Sequence, residues 1–340
     1  LSELFKKAAC FTDIHFGYKN NSREFNNDCE EFIIWFIEKA KAEGAETCIF
    51  LGDYHHNRAG VNVSTLNYSV SNLQRLSDAF EKVYMIMGNH DLYYREKREI
   101  HSIPYANLFD NVELINDGVV EMGGVALVPW LIGDEWRAMK KIKSRYVFGH
   151  FELPFFKMNA MVEMPDHGGL KAEHFDGPEY VFSGHFHKRQ TSGHVQYLGS
   201  PFPHNYADAW DDDRGMMLLE WGGTPQHIDW EDGPRYRTIP LSKLIDKPEE
   251  YLHKKTYCRV TLDVPISYEE ANFIKETFAE QFQLREISLM PAKKEEHSID
   301  WSQGAEVEVE NVDKIVYTQL QAVDSDMINS NKLIEIYNKL

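Results

Sequence analysis

Asp13 and His15 stand two residues apart in CFTDIHFG, a spacing that aims both side chains to one side of an extended chain. The same spacing returns at His185 and His187 in SGHFH. Between these pairs lie Asp53, closing IFLGD, Asn89 in MGNHD, and His150, closing VFGH. The seven residues supply two carboxylates, one amide and four imidazoles, with no thiolate. Such nitrogen and oxygen donors suit borderline or hard divalent ions, Mn²⁺, Fe²⁺ or Zn²⁺ among them. Seven donors exceed the needs of one ion and fit two ions about 3.5–4 Å apart, bridged by one carboxylate. A pair of that kind clamps phosphoryl oxygens and supplies hydroxide for in-line attack. Gly17, Gly52, Gly88, Gly149 and Gly184 sit beside the donors, where tight turns and close backbone approach are needed. Any one of these short patterns arises by chance, and a lone histidine is ordinarily a surface or core residue. Five in order, each closing an apolar run, are hard to reach by chance.

The runs that must position them share one grammar. KAACFTD (7–13), ETCIFLGD (46–53), KVYMIMGNHD (82–91), SRYVFGH (144–150) and EYVFSGH (179–185) start polar, continue apolar and end in Gly, Asp or His. Near-continuous apolar runs suit strands buried on both faces. Residues 26–43 read as a helix with an apolar stripe of Phe32, Ile33, Phe36, Ile37 and Ala40, and residues 64–80 as a second, weaker one. Strands alternating with helices imply layered α/β architecture, whose functional groups collect at the carboxyl ends of the strands. VQYLGSP (195–201) and GMMLLEW (215–221) read as strands completing a second sheet, and DGPRYRTIP (232–240) as an exit linker. Residues 256–290 form a β-α-β unit whose helix opens with a capping box, Ser267 and Glu270. Residues 292–310 are charged and irregular, a linker; 311–323 and 326–340 read as helices, with Leu333, Ile336, Tyr337 and Leu340 on one face.

The chain has 340 residues, 43% hydrophobic, enough for a sizeable core and more than one domain. No stretch approaches the roughly 20 apolar residues of a membrane helix, and LSELFKKAA at residues 1–9 lacks the apolar centre of a signal peptide. Cys10, Cys29, Cys48 and Cys258 form no CxxC pair, so core filling in a reducing, cytoplasmic setting is expected, without disulfides. The net charge of −18 speaks against a broad basic face for holding a polyanion. A nucleic-acid substrate then requires local positive surface, bound metal ions or a partner.

The ordered series D-x-H (Asp13, His15), G-D (Asp53), G-N-H-D (Asn89 to Asp91), G-H (His150) and G-H-x-H (His185, His187) resembles the calcineurin-like metallophosphoesterase superfamily. GDYHH, with His56 three residues after Asp53, and the segment 180–220 with its GSP turn and Arg-Gly resemble the SbcD-type nucleases of double-strand-break repair. VPW at 128–130 and the short length resemble the recombination nuclease subunits of T-even-like bacteriophages. The resemblance implies a four-layer α/β/β/α metallophosphoesterase sandwich over 1–235, a small α+β capping domain over 241–291, a linker over 292–310 and C-terminal helices over 311–340. It implies that Asp13, His15, Asp53 and His187 bind one metal ion and Asp53, Asn89, His150 and His185 the other, with Asp53 bridging. The ions are expected to be Mn²⁺, with Fe²⁺, Zn²⁺ or Mg²⁺ as alternatives. His90 would give a proton to the leaving oxygen, His56 would assist at the phosphate, and Asp91 would orient a neighbouring histidine and steady the loop. The implied activities are duplex-end exonuclease and single-strand endonuclease action. The implied partners are DNA, an SMC-like ATPase gripped by the C-terminal helices, and a second copy in a homodimer.

His55, beside His56, is expected at the surface, and His194, His204 and His227 match no motif. His204 is expected to be a loop residue, and Asp211, Asp212 and Asp213 a solvated turn. Tyr93 and Tyr94 could stack on a base, with packing an equal alternative. Two rivals stand beside the nuclease reading: a phosphoesterase acting on a nucleotide or phosphoprotein, and a non-catalytic scaffold. A scaffold would be expected to lose ligands, and all seven are kept here.

Overall fold

The structure, a computed structural model, describes residues 3–158 and 162–291. In the first sheet, β1 (Lys7–Phe11), β2 (Thr47–Phe50), β3 (Lys82–Ile86) and β4 (Val112–Ile115) run parallel. β11 (Gly215–Glu220) lies antiparallel beside β1, and β12 (Gln226–Asp229) beside β11. The second sheet follows the order β5 (Val120–Met122), β6 (Val125–Val128), β7 (Tyr146–His150), β8 (Tyr180–Gly184), β10 (Val195–Tyr197) and β9 (Gln190–Ser192). Its central strands β6, β7, β8 and β10 are parallel.

Strand alternation divides the side chains of the first sheet between two cores. Phe11, Cys48, Phe50, Val83 and Met85 face α1 (Arg23–Ala42) and α2 (Val63–Ala79), joining Phe32, Ile33, Phe36, Leu73 and Leu76. Cys10, Ile49, Leu51, Tyr84 and Ile86 face the second sheet, meeting Leu127, Tyr146, Phe148 and Phe182. Strands buried on both faces must read as continuous apolar runs, which is how these read. The far face of the second sheet is covered by loops and the 3₁₀ segments Gly133–Lys141 and Ala172–His174, over a core including Val147, Val181, Tyr197, Met139 and Phe175. The helix expected over 26–43 begins earlier, where the Ser22 side chain accepts from the Phe25 N–H.

Two sequence readings are corrected. GMMLLEW was expected in the second sheet, yet β11 joins the first, because Met216 and Leu218 are needed in the helix-side core and Met217 and Leu219 between the sheets. Residues 232–240 are not a linker. They contain β13 (Arg235–Pro240), which opens a third, parallel sheet with β14 (Thr256–Leu262) and β15 (Glu286–Pro291). Pro234 and Pro240 bracket that strand and hide its pattern, although Tyr236 and Ile239 are buried. The helix α3 (Tyr268–Gln281) crosses between β14 and β15 and opens with the expected Ser267–Glu270 capping box.

This third layer is tied to α1 by charge. Arg285 pairs with Glu24 at 2.6 Å and Asp28 at 3.0 Å, while Lys255 pairs with Asp28 at 3.6 Å and with Glu31. The readings for 292–310 and 311–340 lie outside the described residues.

Candidate metal centre

All seven expected donors gather at the carboxyl ends of five strands. The β1 and β2 ends are joined beyond the ladder: Asp13 N–H donates to the Gly52 carbonyl at 2.9 Å, and His15 N–H to the Asp53 carbonyl at 3.1 Å. The chain here is not extended as the D-x-H spacing suggested. Asp13 and His15 both have φ of 52°, Asp53 has 62° and His185 has 86°. Non-glycine residues rarely adopt such angles, and their concentration at one site marks strain held in place by function. Close approach explains two glycines. A Cβ on Gly88 would lie 2.2 Å from Asp53 Oδ1, and one on Gly184 would lie 2.1 Å from Thr12 Oγ1.

The donors form two sets sharing Asp53. In the first, His15 Nε2 lies 3.2 Å from His187 Nε2, 3.7 Å from Asp53 Oδ2 and 3.9 Å from Asp13 Oδ1. In the second, Asn89 Oδ1 lies 3.0 Å from both His150 Nε2 and His185 Nδ1, and His150 Nε2 lies 3.4 Å from Asp53 Oδ2. Two ligands held about 2.1 Å from one ion are separated by about 3.0–4.2 Å, so both sets fit divalent ions. Asp13, Asp53 and His150 are buried.

The surroundings aim each donor. His150 Nδ1 meets the Leu51 carbonyl at 2.7 Å, which leaves Nε2 for the centre. Thr12 Oγ1 donates to Asp13 Oδ2 at 2.7 Å, and the His185 N–H donates to the same oxygen at 3.0 Å. Burial raises Asp13 to about 7, an effect reinforced by the Asp53 charge and opposed by His150. Burial also disfavours the charged form of Asp53, but His150 and His15 outweigh it and hold Asp53 well below the usual carboxylate range. His150 is raised to about 9: burial works against the proton, and the charges of Asp53 and Asp13 keep it. Burial lowers His15, His185 and His187, the last to about 4, so these rings are neutral and their lone pairs are free for a metal.

His90 and His56 stand at the rim. The His90 backbone N–H donates to Asp53 Oδ1 at 2.8 Å, His90 Nδ1 lies 2.8 Å from the His56 carbonyl, and one ring nitrogen each of His15, His56 and His90 lies within 4.8 Å of the others. The two rings stack at 5.4 Å. Asp91 departs from its expected part in orienting a histidine ring. Its carboxylate instead accepts four backbone N–H groups, those of Gly88, Asp53, Tyr54 and His55, at 2.9–3.1 Å, and so shapes the GDYHH loop.

Other expectations are also corrected. His55 is buried at 1% exposure, its ring on Ser102 Oγ at 2.9 Å. A parallel bridge between Phe16 and His55 makes the loop alternate, and the side opposite His56 is core rather than solvent. Asp211 pairs with Lys188 and Arg214, each at 3.0 Å, and Asp212 with Arg237 at 2.5 Å, so two of the three acidic residues are paired, while Asp213 is exposed as expected. Tyr93 and Tyr94 are exposed.

The structure adds residues that the motifs did not bring forward. Glu152 Oε1 lies 3.3 Å from His185 Nε2, and the Trp130 ring packs 5.2 Å from that imidazole. The signal for Glu152 was its place two residues after His150. Arg214, 1% exposed, donates to the His187 carbonyl, to Ser200 Oγ at 2.6 Å and to Asp208 Oδ1 at 3.3 Å. His204 is fully buried, its ring 4.8 Å from that of His187.

Two packed α/β sheets that converge seven nitrogen and oxygen donors at their strand ends have the architecture of a metal-dependent hydrolase. The chain belongs to the calcineurin-like phosphoesterase family, which matches residues 6–189. It is 24% identical over 347 residues, 96% of each chain, to exonuclease subunit 1 of Enterobacteria phage T4. Among solved structures it is similar to the nuclease MPE of Pseudomonas putida, at 20% identity over 56% of this chain and 66% of that one, with a TM-score of 0.30. It is also similar to a dimetal phosphatase from Danio rerio, at 13% identity over 64% of this chain and 92% of that one, with a TM-score of 0.39. Among the described residues no helix is long and apolar enough to cross a membrane, and all four cysteines are free and buried.

Proposed function

We propose that this protein is the nuclease subunit of a DNA recombination and double-strand-break repair complex, with duplex-end exonuclease and single-strand endonuclease activity. The observation that carries the reading is the 24% identity to an exonuclease subunit over 96% of both chains, well beyond residues 6–189 of the family match. GDYHH, which places His56 at the rim, supports it. We assign nuclease function to residues 1–234 and capping to the third-sheet unit from β13 onward, residues 235–291. The helices at 311–340 are assigned to an SMC-like ATPase, whose basic surface would offset the charge of −18. The active form is a homodimer acting inside the cell, where reduced cysteines persist.

Asp13, His15, Asp53 and His187 would hold one divalent ion and Asp53, Asn89, His150 and His185 the other, Mn²⁺ in the first instance. Bound there, the ions supply a water acidic enough to attack at neutral pH and neutralise phosphoryl charge. His90, anchored through Nδ1 on the His56 carbonyl, turns Nε2 toward the substrate side and protonates the leaving 3′ oxygen. Asp53 accepts the His90 N–H, so the proton donor is fixed relative to the shared carboxylate. His56 lines the phosphate next to it.

The test is Mn²⁺-dependent cleavage of labelled duplex and single-stranded DNA by wild type and His90→Ala. Cleavage by wild type only, with equal metal content in both, supports the assignment; metal loss in His90→Ala overturns the role of His90. The net acidity favours a second reading, a small phosphoester substrate. Hydrolysis of bis-p-nitrophenyl phosphate without cleavage of either DNA, even with the ATPase present, would select it.

A further inference from the structure

His204 lies in the loop that follows β10 and is 0% exposed. Neither of its ring nitrogens has a hydrogen-bond partner among the described residues. A neutral imidazole carries one donor and one acceptor, and an interior position that satisfies neither is costly unless something else meets them.

The loop around His204 is firmly held. Its N–H donates to Asp208 Oδ2 at 3.0 Å, and its carbonyl accepts the Tyr236 hydroxyl at 2.8 Å. Arg214 grips Asp208 and the His187 carbonyl together, locking the His204 loop to the GHFH segment. Tyr18, Phe25 and Phe202 wall the ring at centroid distances of 5.6, 5.3 and 5.4 Å. The remaining side meets His187 at 4.8 Å and His15 at 5.5 Å. One ring nitrogen each of His15, His187 and His204 lies within 4.8 Å of the others. Ligands of one ion are about 3.0–4.2 Å apart, so a small ring rotation brings the three to a common point.

We propose that His204 is a further metal ligand, joining His15 and His187 on the ion shared with Asp13 and Asp53. The proposal rests on the dinuclear centre above and adds an eighth donor to it. A third imidazole makes that position richer in nitrogen than its neighbour, favouring Fe²⁺ or Zn²⁺ there over Mg²⁺.

The test uses the full chain, stripped with chelator and titrated with Mn²⁺ alone and Zn²⁺ alone by calorimetry. Wild type is expected to take up two ions. His204→Ala should lose at least about tenfold in affinity for one of them, and His194→Ala should lose none. His204→Leu, which refills the aromatic wall, covers the case in which the Ala variant fails to fold. It should melt, metal-free, no lower than wild type and show the same affinity loss. Two unchanged affinities in a folded His204 variant overturn the proposal while leaving the dinuclear reading intact. A wild-type chain that binds no ion overturns both.

Discussion

The Tyr236 hydroxyl donates to the His204 carbonyl across 2.8 Å and accepts from Lys19 Nζ at 2.5 Å, so the first strand of the third sheet bears directly on a loop of the metal site. Tyr236 also stacks on Tyr257 of β14, with centroids 4.7 Å apart and an interplanar angle of 5°. Tyr236→Phe keeps the stack and removes the bridge. Leaving the buried His204 carbonyl short of its donor costs about 1–3 kcal/mol. Urea denaturation should show that loss, and Mn²⁺ titration should show weaker binding at one site. Equal stability of Tyr236→Phe and wild type would mean that the bridge carries no load.

Asp91 and His90 are neighbours with separable duties. Asp91 organises four backbone N–H groups, two of them belonging to Asp53 and Tyr54 beside the shared carboxylate. Each buried donor left unsatisfied costs about 1–3 kcal/mol. Asp91→Ala should therefore lose metal and several kcal/mol of stability together, or fail to accumulate. His90→Ala should keep both and lose only turnover. Calorimetric metal counts and melting curves on the two variants distinguish these cases, and full metal occupancy in Asp91→Ala would refute the scaffold role.

The donors were legible because each closes a long run of apolar residues, and runs of that kind survive as strands whatever packs on them. β4, β5, β6 and β12 have three or four residues each, as do β2 and β10, but none of them leads into a donor motif or the GSP turn that marked those two, and three or four residues alone do not register a period. The prolines at 234 and 240 disguised β13. His204 carried no local signal, since its burial comes from Tyr18, Phe25 and Phe202, which are distant or two residues removed in sequence and join only in the fold. The duty of Asp91 was legible in part: it steadies its own loop through the Gly88 N–H, as expected, but its hold on the β2 loop was hidden. A carboxylate in GNHD can face rings or backbone, and only the path of the β2 loop decides.

His227 on β12 gives an acid-stability signature away from the metal centre. Burial, with Arg189 nearby, lowers it to about 4, while Asp229 pulls the other way. The unfolded chain takes up this proton near the ordinary histidine value of about 6.5. The contribution is therefore present above that value and is lost as pH falls toward 4. Solvent screening at this partly buried edge position reduces it to about 1–2 kcal/mol. Urea melts at pH 7.5 and 4.5 should show wild type losing that much more than His227→Gln. Parallel losses in the two proteins would assign the acid sensitivity elsewhere.

Glu152 is the partner that fixes which nitrogen His185 offers. With Nε2 directed at Glu152 Oε1 across 3.3 Å, Nδ1 is left facing Asn89 Oδ1 at 3.0 Å. The hydrogen bond from His185 lowers the Glu152 carboxyl, so a carboxylate stands behind the neutral imidazole at neutral pH. A carboxylate behind a ligating imidazole raises its basicity and holds its orientation, and removing such a partner weakens metal binding by about 10–100-fold. Glu152 is 40% exposed, which places the expected loss for Glu152→Ala near the lower bound, about tenfold, at the Asn89, His150 and His185 position only. Glu152→Gln retains an acceptor and should recover part of it. Calorimetry with Mn²⁺ reads both sites in one titration. A loss at the His187 position, or at neither, would show that His185 is oriented by Trp130 packing and not by the carboxylate.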